Sequence, residues 1–399
     1  MTEKPAIETA PPNRPSNVRG TNQSGMRARN EKLVLSLVRR HQALAKSELA
    51  RMAGLSAQTV SVIMRQLESD GLLLRGEPQR GKVGQPSVPM RLNPEGAYFL
   101  GLKVGRRSSE MVLTDFLGRV RDRSRTTYDY PTPQQTLDFA VRSLTDMTEA
   151  LSEPARGRVA GLGIAMPFYL WDWAQILQVL QEKMDPWRTA DLRASLSDIC
   201  DFPVYAQNDA TAACGAELVF GPTEGPRDFL YFYIGFFIGG GVVLNGSIFA
   251  GRGNAGALGP MPVSLGSGPV QPLIEVASLY VLERALAASG CDASGLWDSP
   301  EHWTIPADLL DRWLNRAAQG LAHAILSSCS LIDFECVKID GWMPVAVKSR
   351  LIALVRHHLS RLNLTGLEAP SISAGSVGPD ARALGAASLP LSDRYLVET

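Results

Sequence analysis

Cysteine is scarce in this sequence and never closely paired. The five residues Cys200, Cys214, Cys291, Cys329 and Cys336 are scattered through 399 positions. That spacing excludes a disulfide-stapled fold and a cysteine-built zinc knuckle, so reduced thiols are expected. Long apolar runs are missing too: nothing approaches the roughly 20 residues of a membrane-spanning helix. The opening MTEKPAIETAPPNRP has no apolar signal core. A cytoplasmic protein without a membrane partner is expected.

Net charge is likewise absent, since 40 Lys and Arg balance 40 Asp and Glu. The zero conceals a split. Residues 25–92 carry twelve basic against five acidic side chains, whereas residues 93–399 carry 25 against 33. A small basic module tied to a large acidic body implies that only the module approaches a polyanion. A hydrophobic content of 45% and a charged content of 20% suffice for sizeable cores, and the length implies two or three domains.

Residues 1–24, rich in Pro, Asn, Thr and Ser, are expected to be disordered. From Met26, apolar residues at helical spacing predict a helix ending near His41. A second helix is expected over about Ser47–Ala53, closed by Gly54, and a third from Ser56, a good N-cap, to about Ser69. In SELARMAGLSAQTVSVIMRQLESDGLL, Ala50, Gly54 and Val60 stand where a DNA-binding helix-turn-helix needs small or apolar residues for its helices to cross. The following LLLRGEPQRGKVGQPSVPMRL reads as strand, Gly/Pro-rich loop, strand, which is a wing. The candidate contacts with double-stranded operator DNA are Ser56, Gln58, Thr59, Ser61 and Arg65 on the third helix, with Arg75, Arg80 and Lys82 in the wing.

Beyond Ala97 the pattern becomes α/β. Three strands are expected in AYFLGLKVG, SEMVLTDFLG and VRDRSRTTYDY, then a helix at about Thr132–Leu151, a buried strand in VAGLGIAMP, a helix in DLRASLSDIC and a strand in FPVYAQND. A second meander follows in DFLYFYIG, GGGVVLNG and SIFAG. Two meanders, each followed by helices, point to a duplicated architecture with a cleft between two lobes.

The stretches GLGIAMP (161–167), WRTADLRASLSDICDFPVYAQNDATAA (187–213), IGGGVVLNGSIFAGRGNAGALG (238–259), IEVAS (274–278) and VGPDARALGAA (377–387) resemble the ROK family of repressors, open reading frames and sugar kinases. The resemblance runs from about residue 26 to the C-terminus. It implies an actin-like, hexokinase-like (ribonuclease H-like) body with sugar in its cleft, and the winged helix-turn-helix marks the repressor branch. The implied domains are 25–93 for the head and 94–399 for the body. Lobe one takes about 94–207 with a C-terminal helix at about 380–397, and lobe two about 208–379.

Against the family pattern several parts are missing. Where its kinases end the first strand in an acid, two glycines and a threonine, this chain has LKVGRRS, with Lys103 in the acid's place and Arg106 and Arg107 replacing the second glycine and the threonine. The second phosphate loop reads Gly235, Phe236, Phe237, Ile238, Gly239, and the adenosine-side glycines become KIDGWM with Asp340. ATP chemistry is therefore not expected. Pro260 stands at the zinc-ligating His and the downstream cysteines are absent, so neither metal nor cofactor is expected. Asn208, Asp209 and Glu275 match the sugar-contacting set, whereas Ala257 replaces a sugar-binding Glu.

Two readings of the cleft stay open: a pocket for a different sugar or sugar derivative, or a relic in which Asp209 merely caps the next helix. Trp171 and Trp173 either stack on a sugar or pack in a lid. The expected function is a transcriptional regulator, a repressor of carbohydrate uptake or catabolism genes, acting as a homodimer or homotetramer. The rivals are a sugar kinase with a regulatory head and a scaffold body controlled by a protein partner.

Overall fold

The structure, a computed structural model, describes residues 23–78, 88–222, 225–266 and 268–397. Helix α1 (Gln23–His41) is followed by strand β1 (Ala43–Leu44), α2 (Lys46–Ala53), α3 (Ala57–Ser69), β2 (Leu73–Arg75) and β3 (Met90–Leu92). Each boundary has a local cause. Gly54 adopts φ 65 and Leu55 donates back to Ala50 at 3.1 Å, which closes α2. Ser56 Oγ accepts the Thr59 amide at 3.0 Å and opens α3. Val60, Ile63, Met64 and Leu67 then fall on one buried face.

Two expectations need correction or limitation here. Helix α1 begins at Gln23, so the last two residues of the segment expected to be disordered are helical; polar Gln and Ser extend the first turn without adding to the apolar periodicity. The rest of that segment, and the wing tip with Arg80 and Lys82, lie outside the described residues. The wing's stem is present, with β3 antiparallel to both β2 and β1.

The body contains one topology twice. In the first lobe β4 (Tyr98–Val104), β5 (Ser108–Thr114) and β6 (Val120–Thr127) form an antiparallel meander; α4 (Pro133–Glu149) leads to β7 (Val159–Ala165), parallel to β4, and β8 (Val204–Gln207) adds outside it. The sheet order is β6-β5-β4-β7-β8. In the second lobe β9 (Phe229–Ile234), β10 (Ile238–Leu244) and β11 (Ser247–Ile248) repeat the meander. A short ribbon of β12 (Pro262–Val263) and β13 (Gln271–Pro272) intervenes, and β14 (Cys336–Gly341) and β15 (Ser371–Ala374) complete the order β11-β10-β9-β14-β15. Strands β4 and β9 are buried along their whole length, as central strands covered on both faces must be. The edge strand β6 is charged and largely exposed.

The C-terminal helix, Ala381–Tyr395, packs against β4 and β7 on one side and against the helix Asp209–Phe220 on the other. Its approach is close enough to demand glycine. A Cβ on Gly163 would stand 1.8 Å from the Ala386 carbonyl oxygen, and one on Gly101 2.5 Å from that of Ala383. On the helix itself, a Cβ on Gly385 would stand 2.0 Å from the Ala212 carbonyl oxygen.

The same helix anchors the head. Val34, Leu35 and Val38 of α1 share one core with Phe116, Ala387 and Leu391. Val397 donates to Ser36 Oγ at 3.1 Å, Arg39 donates to the Phe116 carbonyl, and Tyr395 packs edge-on against Phe116 with centroids 5.0 Å apart.

Because those contacts are with backbone, a neighbour cannot simply rotate away. Gly385→Ala and Gly163→Ala are each expected to lower unfolding free energy by about 1–3 kcal/mol or more in urea. Gly295→Ala, whose Cβ would meet nothing within 4 Å, serves as control, and equal stabilities for all three would contradict the packing.

Candidate functional site

On the head, Gln58, Ser61 and Arg65 recur three and four residues apart and so share one face of α3. Ser56, Gln58 and Arg65 are exposed, and Thr59 and Ser61 half-buried. Ser56 Oγ lies 2.8 Å from Thr59 Oγ1, so both hydroxyls already serve the helix start. Arg65 Nε reaches back to the Ser61 carbonyl at 3.3 Å. Arg75 forms a two-point pair with Glu68, at 2.6 and 3.0 Å, which fixes the wing's root to α3 and occupies the guanidinium. Val62, which the sequence reading passed over, is 46% exposed on the same helix, an apolar surface of the kind that meets a thymine methyl. Its only sequence signal is an apolar residue off the buried stripe.

In the body, Asn208 and Asp209 divide the work at the start of the helix Asp209–Phe220. Asn208, not Asp209, is the cap: its Oδ1 accepts from Ala210 at 3.0 Å and Thr211 at 3.3 Å. Asp209 instead pairs with Arg382 of the C-terminal helix, Oδ2 to Nη1 at 3.3 Å. Arg382 also lies over the Tyr233 ring, 5.0 Å from its centroid. Among the described residues, the hydrogen bonds and ion pairs do not bring Glu275 to this pair. It sits exposed in the short helix Ile274–Ala277, near enough to Tyr280 to act on it electrostatically.

Lys103, at the end of β4, is buried, and its ammonium donates to Ser108 O at 3.2 Å and Ser108 Oγ at 2.9 Å. Burial, followed by the charge of Arg382, pulls its pKa down to about 7.

The turns that would hold ATP phosphates in a kinase close on each other here. Arg106, from the β4–β5 turn, places its guanidinium 4.1 Å from the centroid of Phe236 in the β9–β10 turn. Burial lowers the Arg106 pKa to about 10. Glu283 takes Arg107 and also lies 4.0 Å from Arg106 and 3.2 Å from the Trp297 indole nitrogen. Phe236 packs on Tyr280 and Trp297, and Phe237 on Tyr280 and Trp173. Trp173 is thereby consumed in packing, and Trp171 meets Tyr169 edge-on at 5.4 Å. On the adenosine side, buried Asp340 accepts from Lys348 Nζ at 2.7 Å, the Gly341 amide at 3.0 Å and the Gly378 amide at 2.7 Å. The chain's own groups satisfy that carboxylate. Among the described residues no three His, Cys, Asp or Glu side chains gather as a metal site.

A groove of about 2140 Å³ runs along the body toward the head. Gln207 and Thr211, which flank the Asn208–Asp209 pair, border it, with Arg252 and Asn254 of lobe two also in its wall. Asp209 itself is not in the lining. Gln207, Arg252 and Asn254 escaped the sequence reading because single polar residues in a Gly-rich loop carry no periodic signal.

Residues 99–297 match the ROK family and residues 27–73 the winged helix-turn-helix DNA-binding family. The xylose repressor of Bacillus subtilis is 25% identical over 241 residues, which are 60% of this chain and 62% of that protein. A ROK family transcriptional regulator, a homolog of the E. coli MLC protein, superposes with a TM-score of 0.66 at 19% identity, covering 93% of this chain and 97% of the other. A ROK family glucokinase from Streptomyces griseus, in complex with glucose and AMPPNP, gives a TM-score of 0.55 at 20% identity over 73% and 99% of the two chains. These likenesses establish the shared fold of head and body.

The state of Lys103 sets a pH dependence. Its folded pKa of about 7 lies below the ordinary 10.5, so between those values the unfolded chain binds the extra proton and stability rises with pH. Below 7 both states are protonated and the cost of the buried charge is felt in full. Lys103→Met is therefore expected to raise the melting temperature most at about pH 6.5, with the gain shrinking toward pH 9. A gain independent of pH would mean that Lys103 is not the buried cation described.

Proposed function

Because the chain joins a ROK family domain to a winged helix-turn-helix head, we propose that it is a DNA-binding transcriptional repressor of carbohydrate uptake or catabolism genes, controlled by a sugar or sugar derivative in the cleft. The observation that supports this most directly is the span of the C-terminal helix. One end carries Arg382, paired with Asp209. The other end carries Leu391, with Tyr395 and Leu396 packed beside it, in the core beneath α1. A ligand that alters the Asp209–Arg382 contact or the closure of the lobes acts on the same helix that seats the head. It shifts DNA affinity only as far as it binds the two arrangements differently.

On this reading Gln58, Ser61, Val62 and Arg65 face the major groove. Ser56, Thr59, Arg80 and Lys82 serve the phosphates and the adjoining minor groove, while Arg75, paired with Glu68, braces the wing's root. Asn208, Asp209 and Glu275 are the ligand-facing groups, Asn208 through the part of its amide not spent on the cap. A homodimer presents two heads to a palindromic operator, and the two half-sites act through effective concentration.

We read the body as non-catalytic. Arg106 over Phe236 and the Asp340–Lys348 pair occupy the places where a kinase handles phosphate and adenosine. The retained Asp209 favours the rival, a sugar kinase with a regulatory head. The protein incubated with ATP, magnesium and a panel of hexoses is expected to release no sugar-dependent ADP, and measurable release would establish the rival.

The DNA assignment is tested with a site selected by the protein itself from random duplexes, read by fluorescence anisotropy. Arg65→Ala is expected to weaken that complex about tenfold, in line with the loss of one charged contact. Affinity should also fall steeply between 50 and 200 mM salt. Unchanged affinity in the folded variant would remove α3 from the interface.

A further inference from the structure

Cations outnumber their acidic partners in a buried cluster at the end of β4. Lys103 is buried, yet its ammonium bonds only to the neutral oxygens of Ser108. Arg382 spends Nη1 on Asp209, while its Nε is buried without an acceptor. Four charged groups act on Lys103 from neighbouring elements: Glu110 of β5, Arg125 of β6, Asp209, and Arg382 of the C-terminal helix. Glu110, opposite Lys103 in the β4–β5 register, also meets Arg123 at 2.8 Å, and Arg123 gives both Nη atoms to Asp380, so the four cations Lys103, Arg123, Arg125 and Arg382 share the three carboxylates Glu110, Asp209 and Asp380. Buried donors of this kind carry a desolvation cost that a neutral acceptor repays poorly and an anion repays well. Asp209 and Arg382 each keep 15% of their side-chain surface exposed, so the cluster is open to solvent at those two residues.

We propose that the ligand of this cleft is an anionic carbohydrate, whose carboxylate or phosphate is received by Lys103 and Arg382 while Asp209 accepts from a sugar hydroxyl. The proposal rests on the reading of the cleft as a sugar-sensing site and narrows it to a charge class. A neutral sugar supplies hydroxyls to Asp209 and brings no negative charge to Lys103 or to the unpartnered Nε of Arg382. An anion also favours the protonated form of Lys103. Since that group titrates at about 7 in the free protein, ligand affinity falls as pH rises above neutrality and binding takes up a proton.

The test is isothermal titration calorimetry on the full chain with matched sets of probes. These are D-glucose, D-glucuronate and D-glucose 6-phosphate, the galactose counterparts, and acetate and inorganic phosphate alone. At least one charged sugar is expected to bind about tenfold or more tightly than its neutral parent, the worth of one charged hydrogen bond. Which arm wins, the acid or the phosphate, identifies the anionic group. If the acid wins, its affinity should drop several-fold from pH 6.5 to 8.5, a range in which its own charge is constant. Lys103→Met should bring the charged sugar down to the affinity of the neutral one. If that variant does not fold, the pairwise comparison and pH series on the unmodified chain decide.

A neutral parent binding as tightly as its charged partners overturns the inference and leaves sugar sensing intact. Inorganic phosphate or acetate binding as tightly as the charged sugars shows a bare anion site and overturns the carbohydrate assignment. No binding by any probe at millimolar concentration overturns both this inference and the sugar-sensing reading on which it rests.

Discussion

The architecture depends on how closely the C-terminal helix can approach its neighbours. Backbone meets backbone at Gly163 beside Ala386, at Gly101 beside Ala383 and at Gly385 beside Ala212. One helix therefore touches a sheet of the first lobe, a helix of the second and α1 of the head. Small residues give up side-chain burial at these points, and in return dispersion contacts extend over the whole helix length. Wider crossings would leave lobes and head as loosely jointed bodies, with no shared element for a cleft event to act on.

Upon that frame the turns of the two lobes meet through side chains rather than bare backbone. A phosphate loop needs bare backbone amides, and here the corresponding turns carry Arg106, Phe236 and Phe237, which bind each other across the lobes. Glu283 holds both turn arginines from the far side. These contacts favour a closed arrangement of the two turns, and Trp173, from the segment between β7 and β8, packs against it through Phe237. A deeper polar cluster of Lys103, Asp209 and Arg382 remains below, with its charges incompletely matched.

Local features were legible in the sequence. Ser56, Gly54 and the Val60, Ile63, Met64, Leu67 stripe announce α3 because capping and periodicity act within one turn or two. The repeated meanders were legible for the same reason. Partnerships across the chain were not: nothing near Asp209 reveals Arg382, 173 positions later, and a reading that gives Asp209 the cap overlooks that Asn208 already fills it. Phe236 was visible as a departure from the family pattern, but its partner Arg106 belongs to the other lobe. The long helix Ala307–Cys329 went unassigned although its buried residues Leu309, Trp313, Ala317, Gly320 and Ala324 recur at helical spacing.

Pro390 lies inside the C-terminal helix, four residues after Ala386. Having no amide hydrogen, it cannot bond the Ala386 carbonyl, the same oxygen that abuts Gly163. The helix backbone is thus weakest between the segment that carries Arg382 and the segment that carries Leu391 and Tyr395. In mechanical terms the molecule has a jointed lever rather than a strut. Its short arm ends in the cleft, its long-range load is the DNA-reading head, and its fulcrum is the strand surface at Gly161 and Gly163. The angle between head and body is then adjustable at a single proline, without any change in the packing at either end of the helix.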